Sequence, residues 1–382
     1  MKKSTKVILA ATALFLVAFT LFGVERWTTS RASSPEEMLR LLVQDMPAET
    51  TGIVYVDMAQ MRQSPFLQKM NSWTQKPQSD ADYAQFVAET GFNFERDLDR
   101  VAMAGTQRGS QSVWFALADG SFDEKKIKAY MAKSGTVQKR SGYDIYTVVT
   151  PAHNVQTADS SMPPSPPAAS KVTTTPQPPS KISLAFLRDG RLAVTNDADL
   201  SLYLDHKEPA GDAAPWQTRF TRLAGCPVFV VIRQDASTVK ALAEKAPGGL
   251  QSPQLSSLMS QLTWLTLALR PEHDSLRIVT EGESPNATAA KQLSDMLNGL
   301  LLLARAGLGD PKLTQQMNPT TRTAFVGLLN SAEVSNVDRE DLKAVRVVLE
   351  ITPDFLNLAN TSKAAAPASS ATPQPSGEKP PR

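Results

Sequence analysis

Residue types that usually build catalytic and metal centres are scarce in this sequence. It has one cysteine, Cys226, and three histidines. A single cysteine excludes an internal disulfide, and a zinc site usually needs several cysteine or histidine ligands close together in space. The signatures Gly-x-Ser-x-Gly, Gly-x-Gly-x-x-Gly and His-Glu-x-x-His are also missing. We therefore expect no catalytic residue, no cofactor and no bound metal, although residues distant in sequence could still assemble a catalytic pair.

The histidines are spread along the chain and have a simple interpretation. His153 lies in a stretch rich in proline, serine and threonine. His206 and His273 each have carboxylates beside them, but adjacent residues of a strand or turn do not converge on one metal. We interpret both as surface turn residues.

Other residues that resemble parts of a site also have structural interpretations. Asp97 and Asp99 alternate as calcium ligands can, but Arg96 and Arg100 should pair with these acids and repel a cation. Cys226 precedes an apolar run and should be a small buried residue, with a reactive thiol as the alternative. Tryptophans scattered among apolar runs should belong to the core: Trp73, Trp114, Trp216 and Trp264.

An excess of charge of one sign is missing as well. The chain has 40 basic and 38 acidic side chains, for a formal net charge of +2. Lys2, Lys3 and Lys6 are the basic residues among the first 24, so the rest of the chain is close to −1. A near-neutral chain gives no electrostatic reason to expect binding to nucleic acid.

The N-terminus has the pattern of a membrane anchor. Its lysines precede Val7–Val24, an apolar run without charge that is long enough to cross a bilayer at about 1.5 Å per residue. The positive side should stay in the cytoplasm, so the chain from about Glu25 onward should be exported and periplasmic or otherwise extracytoplasmic. An uncleaved single-pass anchor in the inner membrane is favoured over a cleaved secretion signal, and a buried core helix is the third alternative.

Two proline-rich segments divide the exported part. Residues 150–181 and 361–382 have too few apolar side chains to offset the entropy cost of ordering, which predicts a disordered insertion and a disordered tail. Residues 1–34 then form the anchor and a short linker. The remaining sequence is predicted to form two modules, at 35–222 and 223–360.

The elements of these modules predict an α+β fold. Strand candidates include Gly52–Asp57 and the two sides of a turn at Asp189-Gly190, the strongest hairpin signal in the chain. A strand, a serine cap and an amphipathic helix follow one another at 113–134 and again at 276–306, with Ser121 and Ser284 as the predicted caps. We expect two possibly related modules, each an antiparallel sheet with helices packed on one face.

Four segments of the first module form a recognisable series: Met46-Pro-Ala-Glu-Thr-Thr-Gly-Ile-Val-Tyr-Val-Asp57, then Arg62-Gln-Ser-Pro-Phe66, Gly142-Tyr-Asp-Ile-Tyr146 and Leu192-Ala-Val-Thr-Asn196. In these segments the module resembles a group of bacterial extracytoplasmic proteins of unknown function that carry a single N-terminal anchor. The order Gly-Tyr at 142–143 departs from that group, where tyrosine comes first. The resemblance implies an exported domain with no assigned catalytic residues.

These features lead to three functional hypotheses. The first is a non-enzymatic, membrane-anchored envelope protein that acts as a scaffold or interaction module, with other envelope proteins as partners and the membrane bound through residues 7–24. The second is a small-molecule binding or sensing domain with a pocket between the modules. The third is a hydrolase with dispersed residues, which would require a serine or an aspartate near His206 or His273 in a cleft.

Overall fold

The computed structural model describes residues 34–47, 49–68, 81–108, 111–150, 154–157, 173–176, 180–187, 190–197, 199–204, 213–234, 260–308 and 319–355. The predicted anchor at 7–24, the predicted tail at 361–382, His153, His206 and Trp73 lie outside these residues. Of the helices in the described residues, none is both long and apolar enough to cross a bilayer.

Among the described residues, twelve strands pair in one antiparallel sheet, and a further two pair separately. The large sheet has the order β13-β14-β12-β11-β10-β1-β2-β3-β9-β8-β5-β4. The strands are β1 Gly52–Asp57, β2 Leu98–Arg108, β3 Gln111–Gly120, β4 Thr136–Arg140, β5 Tyr143–Thr150, β6 Asn154–Thr157, β7 Thr173–Pro176, β8 Ser180–Phe186, β9 Leu192–Thr195, β10 Val228–Arg233, β11 Trp264–Glu272, β12 Ser275–Glu283, β13 Glu333–Arg339 and β14 Leu342–Ile351.

Helices fall between the strands along the described part of the chain. They are α1 Pro35–Asp45, α2 Met58–Arg62, α3 Ala81–Thr90, α4 Phe94–Asp97, α5 Glu124–Ser134, α6 Ser201–Leu204, α7 Ala214–Arg222, α8 Ala287–Gly307 and α9 Pro319–Ser331. The α+β class with antiparallel pairing is thereby confirmed.

The two predicted sheets are parts of a single sheet. β1 and β10 pair antiparallel from Gly52–Ile232 to Val56–Val228, so hydrogen bonding continues between the two halves of the chain. Tyr55 and Phe229 are direct partners in this register, and their rings stack with centroids 5.0 Å apart. A stacked pair of this kind contributes about 0.5–1.5 kcal/mol beyond its area burial.

Each half has the same order of elements around this junction. A helix precedes the central strand, a hairpin comes later in the chain, and a three-residue connector leads from that hairpin to another helix and then to a second hairpin. These are α1, β1, β2–β3, α5 and β4–β5 in one half, and α7, β10, β11–β12, α8 and β13–β14 in the other. The division into two modules at 35–222 and 223–360 stays a prediction. Their origin by duplication stays a prediction.

The predicted helix caps are two residues too early. Asp123 caps α5 by accepting a hydrogen bond from the Lys126 N–H at 3.1 Å, and Asn286 caps α8 by accepting from the Ala289 N–H at 2.8 Å. Ser121 donates its own N–H to the Asp97 carbonyl instead, and so it still belongs to the strand region. Aspartate and asparagine are as effective as serine at this position.

Helices cover both faces of the sheet, which corrects the prediction of a single covered face. We define the front face as the one that carries α1 and α7. Ala185 of β8 belongs to the hydrophobic cluster that includes side chains of α1 and α7 on the front face. Its neighbours Leu184 and Phe186 pack instead with Ile127 and Met131 of α5. Because side chains alternate along a strand, α5 lies on the opposite, back face.

The main core lies between the front face and the two helices α1 and α7. Met38 and Leu42 of α1 are fully buried, and Trp216 of α7 is 2 % exposed. Trp216 meets Trp264 of β11 edge-on, with ring centroids 4.8 Å apart. The predicted core positions of these two tryptophans are therefore confirmed.

A ladder of alternating charge crosses one end of the front face. Asp57, Arg100 and Asp119 are successive partners across β1, β2 and β3, and Arg191 lies 4.0 Å from Asp119. Asp45 at the end of α1 is near Arg191, yet burial raises the pKa of its carboxyl to about 7 while Arg191 and Arg40 act in the other direction.

Replacing the Trp216 side chain should weaken the whole core. Trp216→Ala should lower the free energy of unfolding by about 3–5 kcal/mol, since a large buried aromatic is removed. Leu202→Ala is the matched control, because Leu202 is 54 % exposed and its loss should cost less than about 0.5 kcal/mol. Urea unfolding of the full-length protein in detergent measures both, and equal losses would contradict the assigned core.

The half-buried Asp45 should make stability depend on pH. Its pKa is raised on folding, so the folded state keeps a proton that the unfolded state releases, and stability is lost as pH rises from about 4 to about 7. Asp45→Asn, which mimics the protonated carboxyl, should remove this loss. Thermal unfolding at pH 5 and pH 8 should therefore show a Tm advantage of the variant that is larger at pH 8, and an advantage independent of pH would refute the raised pKa.

Candidate binding pocket

An open pocket lies on the front face of the second half of the sheet. Its volume is about 670 Å³, and its lining comes from four strands and from the end of α7 with the turn that follows. The residues are Arg222, Leu223, Cys226, Thr266, Ala268, Arg270, Glu272, Arg277, Val279, Glu281, Glu333, Ser335, Arg339, Arg346 and Val348. Five arginines against three glutamates give this lining a net positive charge in a nearly neutral chain.

The strand register arranges the pocket floor in rows. Ala268, Val279 and Val348 are successive partners across β11, β12 and β14, and they form an apolar row. Arg270 and Arg277 are partners in the row on one side of it. The row on the other side contains Thr266, Glu281, Arg346 and Ser335. The floor is thus a narrow apolar strip between two charged rows.

One charged row is neutralised internally. Arg346 and Glu281 are direct cross-strand partners, and Arg346 Nε donates to Glu281 Oε1 at 2.7 Å. The Glu281 side chain is 12 % exposed and the Arg346 side chain 36 % exposed. This pair closes one side of the pocket and carries no net charge.

A second ion-pair cluster fixes α7 over the sheet beside the pocket. Arg219 and Arg222, on successive turns of α7, both donate to the carboxylate of Glu283 at the end of β12. The Arg219 guanidinium also lies over the Trp264 ring, 3.7 Å from its centroid. Burial lowers the pKa of Arg219, and Glu283 acts in the opposite direction. The cluster sets the position of Arg222, which lines the pocket.

The opposite charged row is less well neutralised. Arg270 Nη2 lies 3.3 Å from the thiol sulfur of Cys226, and Arg277 lies 3.8 Å from Glu272. Cys226 is 8 % exposed, so the predicted small buried cysteine is confirmed. Its thiol is a weak partner for a guanidinium.

The residues that the sequence singled out are dispersed in the structure. His273 occupies the exposed tip of the β11–β12 hairpin with φ of 52°, and it is not part of the pocket lining. Asp97 pairs with Arg96 as predicted, but Asp99 pairs with Arg62 rather than Arg100. Within the described part of the chain, no group of three or more histidine, cysteine, aspartate or glutamate side chains could hold a metal ion.

Sequence reasoning missed the arginines of the pocket, although a signal for them was present. Arg270 and Glu272 lie two residues apart in β11, and leucines occupy the alternate positions before them. Arg277 and Glu281 likewise fall on one set of alternate positions in β12. Charge at one parity of adjacent strands indicates a polar sheet face. The register that places the two arginines opposite each other follows from the two-residue turn between these strands.

Removing the shared acid of the α7 cluster should be costly. Glu283→Gln leaves Arg219 with a guanidinium that is 11 % exposed and has no carboxylate partner, which should lower the free energy of unfolding by about 3–5 kcal/mol. Glu333→Gln is the control, since Glu333 is an exposed glutamate of the pocket lining. Similar urea midpoints for the two variants would show that the cluster does not hold α7.

No protein family matches the sequence, and no curated protein matches it. Solved structures of TP0453 are similar to this chain at low identity. Crystal form III has 11 % sequence identity and a TM-score of 0.41, and it covers 84 % of this chain and 97 % of TP0453. Crystal form I has 10 % identity and a TM-score of 0.40, with coverage of 87 % and 98 %.

Proposed function

We propose that this protein is a non-enzymatic envelope protein, tethered to the inner membrane by residues 7–24, that acts as an interaction module through its arginine-lined pocket. The amino terminus stays in the cytoplasm, and the sheet domain lies on the extracytoplasmic side. The partners are other components of the envelope. The role requires no cofactor and no nucleic acid.

The observation that carries the binding role is the concentration of arginine in one open pocket. Five arginines line it in a chain whose exported part is nearly neutral overall. Guanidinium groups stay charged at all physiological pH values, so they bind anionic groups but do not exchange protons as general acids or bases do. A pocket of this composition favours recognition over catalysis.

Support for the membrane tether comes from the sequence. Lys2, Lys3 and Lys6 precede the uncharged Val7–Val24, which is followed by Glu25. Positive charge on one side of an apolar span keeps that side in the cytoplasm. The pocket is then exposed to the extracytoplasmic compartment, where envelope components could reach it.

A second candidate function is the binding or sensing of a small molecule. The pocket volume of about 670 Å³ lies within the usual range for small-molecule sites, about 300–1,000 Å³. The predicted site lay between the modules, whereas the lining comes from α7 with the turn after it and from the strands β11–β14, all in the second half. The hydrolase hypothesis is weakened by the exposed position of His273.

Crosslinking in intact cells tests the proposal. A membrane-impermeant crosslinker applied to cells with a permeabilised outer layer should capture the full-length protein together with a partner, because the sheet domain is exported. Reversing two pocket charges, with Arg270→Glu and Arg277→Glu together, should reduce this capture about tenfold or more, as a pocket-bound anionic group would be repelled.

Arg322→Glu is the matched control, since Arg322 is exposed on α9 and does not line the pocket. This variant should capture the partner as the unchanged protein does, and thermal unfolding should confirm that all forms are folded. Absence of any crosslink would contradict the exported location. A partner captured equally by the double variant would place the interaction elsewhere on the surface.

A further inference from the structure

Two arginines of the pocket oppose each other across adjacent strands. Arg270 of β11 and Arg277 of β12 are direct partners in the antiparallel register. Side chains at such positions start about 4.5–5.5 Å apart at their Cβ atoms, and like charges placed in this way destabilise a sheet. Both side chains line the pocket on the same side of its apolar strip.

The partners of these two arginines are weak compared with those of the other arginines nearby. Arg270 donates to the Cys226 sulfur at 3.3 Å, and the described residues provide it with no carboxylate within 4.0 Å. Arg277 lies 3.8 Å from Glu272 in a pair whose side chains are 47 % and 40 % exposed, and such pairs contribute about 0–1 kcal/mol. The partner of Arg277 on its other side is the exposed Glu350 of β14, and in the described structure these two side chains form no ion pair within 4.0 Å. By contrast, Arg346 makes a direct hydrogen bond to Glu281 at 2.7 Å.

We infer that Arg270 and Arg277 together bind a phosphate monoester group of the ligand that occupies this pocket. A phosphate monoester carries about −1.5 to −2 charge at pH 7 and three acceptor oxygens, which suits two guanidinium groups facing one space. A single carboxylate would neutralise only one of them. The inference rests on the proposed binding function and adds the chemical class of the ligand.

The rest of the ligand lies over the apolar strip. A pocket of about 670 Å³ is much larger than a phosphate group needs, and Ala268, Val279 and Val348 continue inward from the arginine pair. Apolar surface in contact with these side chains adds about 25 cal/mol per Å² removed from water. The ligand is thus an organic phosphate with an apolar part rather than inorganic phosphate.

Isothermal titration of the full-length protein in a non-ionic detergent tests the inference. The probes are phenyl phosphate, inorganic phosphate, benzoate and dihexanoyl phosphatidic acid, which carries its phosphate monoester on a lipid. Phenyl phosphate should bind at least about tenfold more tightly than inorganic phosphate and than benzoate. The lipid probe separates the two sources of the group: tighter binding than phenyl phosphate indicates a lipid headgroup, and weaker binding indicates a soluble organic phosphate.

Variants connect the binding to the two arginines. Arg270→Gln with Arg277→Gln should weaken phenyl phosphate binding by about tenfold or more, since charge-assisted hydrogen bonds are lost. Arg270→Lys with Arg277→Lys should give an intermediate loss because charge is kept but bidentate geometry is not. Arg322→Gln on α9 should bind as the unchanged protein does.

Three results would overturn the inference. The first is that neither phenyl phosphate nor the lipid probe binds. The second is that benzoate binds as tightly as phenyl phosphate, and the third is that the double glutamine variant binds phenyl phosphate as the unchanged protein does. The proposed interaction role is tested separately: if the crosslinked partner depends on the pocket arginines but no phosphate probe binds or competes, the binding role stands and the phosphate assignment fails. If a phosphate probe binds but no partner is crosslinked, the phosphate assignment stands and the interaction role fails.

Discussion

The pairing of β1 with β10 is the contact on which the rest of the molecule depends. It joins strands that are more than 170 residues apart in sequence, and it places α1 and α7 side by side over the centre of the front face. Tyr55 and Phe229 stack where the two strands meet. Without this pairing, each half would expose the edge of its central strand, and an exposed edge invites pairing with other chains.

The pocket is a consequence of this arrangement. α7 lies over the centre of the sheet, fixed by Glu283, and its last turn ends beside the strands of the second half. Beyond the end of α7, side chains on the front face of β11, β12 and β14 line the pocket directly. Because a sheet holds its side chains in a fixed register, the arginines are positioned by backbone hydrogen bonds rather than by a loop.

Local features of the fold could be predicted from the sequence, and long-range ones could not. The bounds of β1 agree with the prediction of Gly52–Asp57, and the amphipathic helix predicted at the end of 276–306 is α8, which ends at Gly307. The single sheet was missed because pairing between distant strands leaves no local pattern. A signal for its two covered faces was present in β1, where Ile53, Val54, Tyr55 and Val56 are consecutive apolar residues.

The candidate site was less predictable than the fold. Cys226 was correctly placed in the interior, but nothing near it in sequence indicated that Arg270 would lie against its sulfur. Arg270 is 44 residues from Cys226, and the two side chains meet only once the strand register is set. Site residues on one face of a sheet occupy alternate positions along their strands. They can be recognised as a group only when the order of the strands in the sheet is known.

The exposed arginines of the pocket also determine which property of the surroundings can tune it. Guanidinium charge does not change over the physiological pH range, so the positive charge of the five lining arginines does not respond to acidity. Dissolved ions act differently, because they screen exposed charges over about 10 Å at 0.1 M and about 3 Å at 1 M salt. In a compartment whose salt content follows the outside medium, the attraction of the pocket for anionic groups would therefore increase when the medium is diluted. It would decrease when the medium becomes more concentrated.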